Sequence, residues 1–149
     1  MVTPMNNDDL RVPTLLLCAG GQDERDTAVA RLVEPAAAGR PIAVLRAGAG
    51  PLSSPDAPMG PHVVVRRAPI GCLCCTARVG FRVALFGLLH STRPARLVVD
   101  LGPGDHVATL EAELRGESLA RVLRLVGRVD LNAFLGLRAL AWPVDLQPP

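Results

Sequence analysis

Hydrophobic positions along this chain alternate between two spacings. Short runs of leucine and β-branched residues give way to stretches with an apolar residue every three or four positions. The run VPTLLLCA (12–19) predicts a buried strand. Beyond it, Val29, Leu32, Val33 and Ala36 follow the i, i+3, i+4, i+7 rule. They predict a helix over 26–38, shortened or kinked at Pro35 and C-capped at Gly39. PIAVLRA (41–47) predicts a second strand, GAGPLSSPDAPMGP (48–61) a mobile loop, and HVVVRRA (62–68) a third strand. Residues 77–90 predict a well-buried helix with Val79, Val83 and Phe86 on one face, and RLVVDL (96–101) a fourth strand. The spacing of Val107, Leu110 and Leu114, then Leu119, Val122, Leu123 and Val126, predicts helix over 105–126 with a break at Gly116. GRVDLNAFLG (127–136) predicts a weaker fifth strand.

Strands alternating with amphipathic helices imply a layered α/β domain with four or five mostly parallel strands. The pattern places that domain at 12–136, after a flexible segment 1–11 and before a tail 137–149 that ends in Pro148-Pro149. A length of 149 residues suits one domain with one core. With 49% hydrophobic and 20% charged residues, the chain reads as globular rather than disordered. No apolar run approaches the ~20 residues of a membrane span. The N-terminal MVTPMNNDDL is acidic and has no apolar signal region, so a cytoplasmic location is expected. A net charge of +2, no Tyr and three Phe argue against nucleic acid or an anionic membrane as partner.

All sixteen basic residues are arginine. Without lysine there is no Schiff-base chemistry on lysine and no phosphate loop completed by the usual lysine. The sharpest chemical feature is IGCLCCT, which places Cys72, Cys74 and Cys75 within four residues between a strand and a helix. Neighbouring cysteines bridge poorly, because a Cys74–Cys75 bond closes a strained ring and a Cys72–Cys74 loop has little room. Three thiolates can instead converge on one soft ion, such as Zn²⁺ or Cu⁺. Arg66, Arg67, Arg78 and Arg82, with the positive end of a helix starting near Thr76, favour the thiolate form.

On this motif the chain resembles the CobW-type metal-chaperone GTPases, P-loop proteins whose metal motif is GCxCC. VPTLLLCAGGQDERDTAVARLV is similar to their first strand, phosphate loop and first helix. RPIAVLRAGAG is similar to the second strand and the switch segment, and RPARLVVDLGPGD to the Walker B strand and its glycine turn. The resemblance covers about residues 12–135 and implies a three-layer P-loop-like domain, a metal held by Cys72, Cys74 and Cys75, and a GTP–Mg²⁺ site. Zn²⁺ is the ion expected, with Co²⁺ or Ni²⁺ as alternatives.

The nucleotide half departs from that pattern. Where the family has G-x-x-x-x-G-K-[ST], the first glycine meets Ala19, the second Glu24, the lysine Arg25 and the Mg²⁺ hydroxyl Asp26. Asp23, Glu24 and Asp26 would oppose phosphate by about 1 kcal/mol or more per pair at ~4 Å. Arg46-Ala47 replaces an Asn-Glu pair, and Leu101 and Gly102 stand where threonines are expected beside Asp100. Arg25, Thr27 and Asp100 are what the resemblance leaves of a nucleotide site.

The reading is thus a metal-binding CobW-like protein that does not hydrolyse GTP. Two alternatives stay open: a GTPase with an altered loop, and a non-catalytic subunit of a complete CobW-type partner. A client metalloprotein and a metal-linked homodimer are the expected partners. Cys18, His62, His90 and His106 are the residues from which a fourth ligand could come. Asp100 and Asp105 could hold a cation at the sheet's carboxyl edge.

Overall fold

Among the described residues nine elements follow one another: β1 (Val12–Cys18), α1 (Gln22–Leu32), β2 (Ile42–Ala47), β3 (Val63–Ala68), α2 (Cys75–Thr92), β4 (Arg96–Asp100), α3 (Val107–Leu114), α4 (Glu117–Ala120) and β5 (Leu123–Asp130). The computed structural model describes residues 10–47, 60–68, 75–102, 107–133 and 140–143, with backbone alone at 75–78. Residues 48–59 of the loop predicted over 48–61, with Cys72, Cys74, Asp105, His106 and most of the two terminal segments, lie outside these residues.

The five strands form one sheet in the order β3-β2-β4-β1-β5, and every pair is parallel. Parallel strands are covered on both faces, which is why they read as continuous apolar runs rather than alternating ones. Leu16, Cys18, Leu45, Leu97 and Val99 pack under α2, α3 and α4. Leu15, Leu17, Val44 and Val98 pack under α1. The result is a three-layer α/β domain with helices on both sides of the sheet, as the sequence predicts.

The helices differ from expectation in four places. The α1 helix runs from Gln22 to Leu32 rather than over 26–38. Its first two turns are polar and carry no apolar period, and it is shortened before Pro35, which lies in the turn at Val33–Ala36. Gly39 is not its C-cap; it has φ 78° in a tight turn closed by Arg40 N–H donating to Ala37 O at 2.8 Å.

The buried face of α2 carries Phe81, Leu85 and Leu88, whereas Val79, Val83 and Phe86 are exposed. Both stripes have helical spacing. Which of them turns inward is set by the sheet beneath, where Phe81, Leu85 and Leu88 pack with Leu45, Ala68 and Leu97. Finally, the stretch predicted as helix to 126 ends at Ala120, and β5 covers 123–130 instead of 127–136. Leu119, Val122, Leu123 and Val126 fit a helix by spacing. The open edge of β1 needs a ladder partner, however, and residues 123–130 supply it. The break at Gly116 stands, as the N-cap of α4.

Within the segment read as a tail, Leu140 and Trp142 are buried against α1. The Trp142 indole N–H donates to Leu32 O at 2.8 Å, so the core extends beyond residue 136. No helix among the described residues is long and apolar enough to cross a membrane.

Candidate functional site

The carboxyl ends of β1, β2 and β4 meet beneath the first turn of α1. β1 passes to α1 through only three residues, Ala19, Gly20 and Gly21. Ala19 and Gly20 are both left-handed, with φ 62° and 71°. A side chain at Gly20 would bring its Cβ to 2.8 Å from Leu131 Cβ, so glycine is required there. Gly102, with φ 81°, similarly lets the end of β4 pass within reach of the Ala47 carbonyl. Its own carbonyl accepts the Ala19 N–H at 3.0 Å.

This connection has no phosphate-cradling loop. Residues 22–26, which the resemblance assigns to that loop and to its lysine and hydroxyl positions, are the opening turns of α1. The Arg25 N–H donates to Gly21 O at 3.0 Å, along the helix rather than into a cradle. The Glu24 carboxylate lies over Gly20 and Gly21, at the helix end that would otherwise attract an anion.

The charged residues that break the family pattern meet here. Arg46 and Asp100 are partners in the β2–β4 register and project toward α1. Asp100 Oδ2 accepts from Arg46 Nε at 3.1 Å. Asp100 Oδ1 accepts the Gly102 N–H at 2.9 Å and lies 3.3 Å from Arg25 Nε. Arg25 also donates to Gly20 O at 2.6 Å and to Gln22 Oε1 at 3.1 Å. Arg46 Nη2 pairs with Asp26, whose carboxylate accepts from Gln22 Nε2 at 2.8 Å as well. Two cations and two anions thus close on one another, with Arg25, Arg46 and Asp100 all buried. Burial acts to raise the Asp26 pKa. Hydrogen bonds from Arg46 and Gln22, with the two guanidinium charges, outweigh it and hold the carboxyl below its ordinary value.

Thr27 stands apart from this cluster. Its hydroxyl donates to Asp23 O at 2.8 Å, one turn back along α1. Arg25 and Asp100 are therefore brought together, and Thr27 is not. Arg46, Gln22 and Gly102 complete the cluster. Arg46 and Gly102 were signalled only by their departure from the family pattern, and Gln22 carried no signal.

The cysteine segment lies between Ala68, the last residue of β3, and Cys75, which opens α2. Residues 69–74 lie outside those described, and α2 begins two residues ahead of the helix expected over 77–90. Among the described residues, no three His, Cys, Asp or Glu side chains converge on one point. Cys18 is buried, and its thiol donates to Val129 O at 3.6 Å. Burial pushes this thiol pKa up, with nearby Arg128 opposing, so it stays protonated and packs as core.

His62 and His90 are at the opposite edge. His62 immediately precedes β3, and His90 is near the C-terminus of α2, about 22 Å from Cys75 at 1.5 Å per residue. Neither can join a metal held at the cysteine segment within this fold. Arg82, one of the cations expected to flank the cysteines, pairs with Glu113.

No family model, curated protein or solved structure matches the chain.

Proposed function

We propose that this is a cytoplasmic, CobW-like metal-binding protein that holds Zn²⁺ through Cys72, Cys74 and Cys75 and does not hydrolyse GTP. The observation that carries this reading is the C-x-C-C spacing, in a segment that follows the edge strand β3 along the chain and runs into α2 at Cys75. The donor set suits a soft ion, since three thiolates are the ligands that zinc and similar metals prefer. The N-terminus of α2, with no acidic residue in its first turn, favours the negative charge of thiolates.

The closed Arg25–Asp100–Arg46–Asp26 cluster supports the second half of the reading. A phosphate chain entering there would have to separate buried ion pairs and displace Glu24. The GTPase alternative asks most of these residues, because Asp100 would have to give up two guanidinium partners to serve Mg²⁺. Handing the metal to a client metalloprotein, or joining a complete CobW-type partner, is the context the resemblance suggests.

Elemental analysis of the purified protein tests the proposal. About one zinc per chain, falling to none in a variant with Cys72, Cys74 and Cys75 all changed to serine, is the expected result. Equal metal content in both would refute it.

A further inference from the structure

The outer face of α2 carries an apolar stripe that nothing in the described structure covers. Val79 is 62% exposed, Val83 67% and Phe86 38%, at spacings of four and three residues. These residues lie on one side of the helix over about 16 Å from Val79 to His90. Beside Phe86 is Gly87, where an added Cβ would meet no atom within 4 Å. Glycine is unfavourable inside a helix, and no packing among the described residues accounts for it. It leaves room for another backbone to approach next to Phe86.

At the C-terminal end of α2 the stripe runs into an open groove of about 740 Å³. Phe86, Leu89 and Val122 form part of its apolar lining, and Leu10, 94% exposed, stands on its margin. Its polar lining is entirely basic, consisting of Arg11, His90, Arg93 and Arg121. Arg121 pairs with the exposed Glu117. Among the described residues, the side chains of Arg93 and His90 have no hydrogen-bond or ion-pair partner. Arg93 also caps the helix in a left-handed conformation, φ 44°, that non-glycine residues seldom adopt.

We propose that this face docks an acidic amphipathic helix of another protein. The partner's apolar residues would lie along Val79, Val83 and Phe86, and its acidic end would rest on Arg93 and Arg121. Charge selects this occupant over a second copy of the chain. Two copies packed parallel would set Arg93 and Arg121 against their own counterparts. Packed antiparallel, they would turn these arginines toward Arg82 of the other copy, whereas carboxylates would complement them. Polarity sets the orientation. A helix antiparallel to α2 brings its first turns to the basic groove, and acidic residues are favourable at a helix N-terminus. The surface is read from α2 and its neighbours alone, so it stands whether or not the cysteine segment holds metal.

The probe is a synthetic helix of about sixteen residues with leucines at i, i+3, i+4 and i+7 and glutamates in its first two turns. A second peptide has lysine in place of each glutamate. Binding is followed by fluorescence anisotropy. The glutamate peptide is expected to bind saturably at one per chain, and the lysine peptide not to bind. Val83→Asp and Arg93→Glu alter exposed positions, and circular dichroism checks that each variant keeps its fold. Each should weaken the glutamate peptide roughly tenfold or more, and Arg93→Glu should gain affinity for the lysine peptide. Absence of binding, equal binding of both peptides, or affinity unchanged in both variants would overturn the proposal. A dimer in light scattering that Val83→Asp dissolves would assign the face to a second copy instead.

Discussion

Arg46 and Asp100 stand opposite each other in adjacent parallel strands, and Asp100 Oδ2 accepts from Arg46 Nε at 3.1 Å in a buried setting. In the P-loop pattern that the sequence resembles, an acid at the Asp100 position serves a metal–nucleotide site. Here Asp100 neutralises two guanidinium groups of its own chain, so it is a structural residue before it is anything else. Asp100→Ala should leave Arg25 and Arg46 buried without their shared counter-charge. The expected loss is about 3–5 kcal/mol, read as a lowered urea midpoint. Arg46→Met should cost less, because Asp100 keeps Arg25 and the Gly102 N–H.

The other anion of the cluster sets a pH dependence. Asp26 has a folded-state pKa below its unfolded value. Its contribution to stability is therefore complete above the unfolded pKa, near 3.9, and is lost as pH falls through the folded pKa. The Asp26 side chain is 45% exposed, so screening limits the effect to about 1 kcal/mol or less. The stability difference between the wild type and Asp26→Asn should be measurable at pH 6 and shrink toward zero below about pH 4. A difference that persists in acid would remove the ion pair as its cause.

Nucleotide should not stabilise the protein. A ligand present at 100 times its dissociation constant adds about 2.7 kcal/mol and raises Tm by several degrees. Thermal melts with and without millimolar Mg²⁺-GTP or Mg²⁺-ATP are expected to coincide. A rise of that size would show that the Arg25 cluster opens for phosphate, and would favour the GTPase alternative.

The two stripes of α2 make opposite predictions for stability. Leu85 is fully buried, and Leu85→Ala should cost about 2–5 kcal/mol. Val83 faces solvent, and Val83→Asp should change stability by roughly 0.5 kcal/mol or less. Urea unfolding of the two variants separates them directly.

Much of the fold was legible because β1, β2, β3 and β4 are short β-rich runs bounded by Gly, Pro or a change of period. The errors share one physical origin: spacing says that a face is apolar, not what it packs against. On α2, two apolar stripes satisfied the helical rule, and only the sheet beneath decides between them. Leu123 and Val126 fit a helix and a strand equally well until the free edge of β1 claims them. The first turn of α1 was missed because Gln22, Asp23, Glu24 and Arg25 carry no hydrophobic period. The cluster was half visible. Asp26 and Arg46 each stood out as breaks in a family pattern and Asp100 as its retained acid, but their mutual pairing depends on contacts up to 54 residues apart along the chain. The metal chemistry of the cysteine segment is a reading from spacing alone, and Cys72 and Cys74 lie outside the described residues.

Cobalt titration of the reduced protein tests that chemistry most directly. The expected result is thiolate-to-cobalt charge-transfer bands that saturate at one ion per chain, or one per dimer. They should be lost or strongly reduced in Cys72→Ser, Cys74→Ser and Cys75→Ser, and unchanged in Cys18→Ser, whose thiol is buried and protonated. Bands of equal intensity in all three segment variants, or none in the wild type, would contradict the metal-binding account.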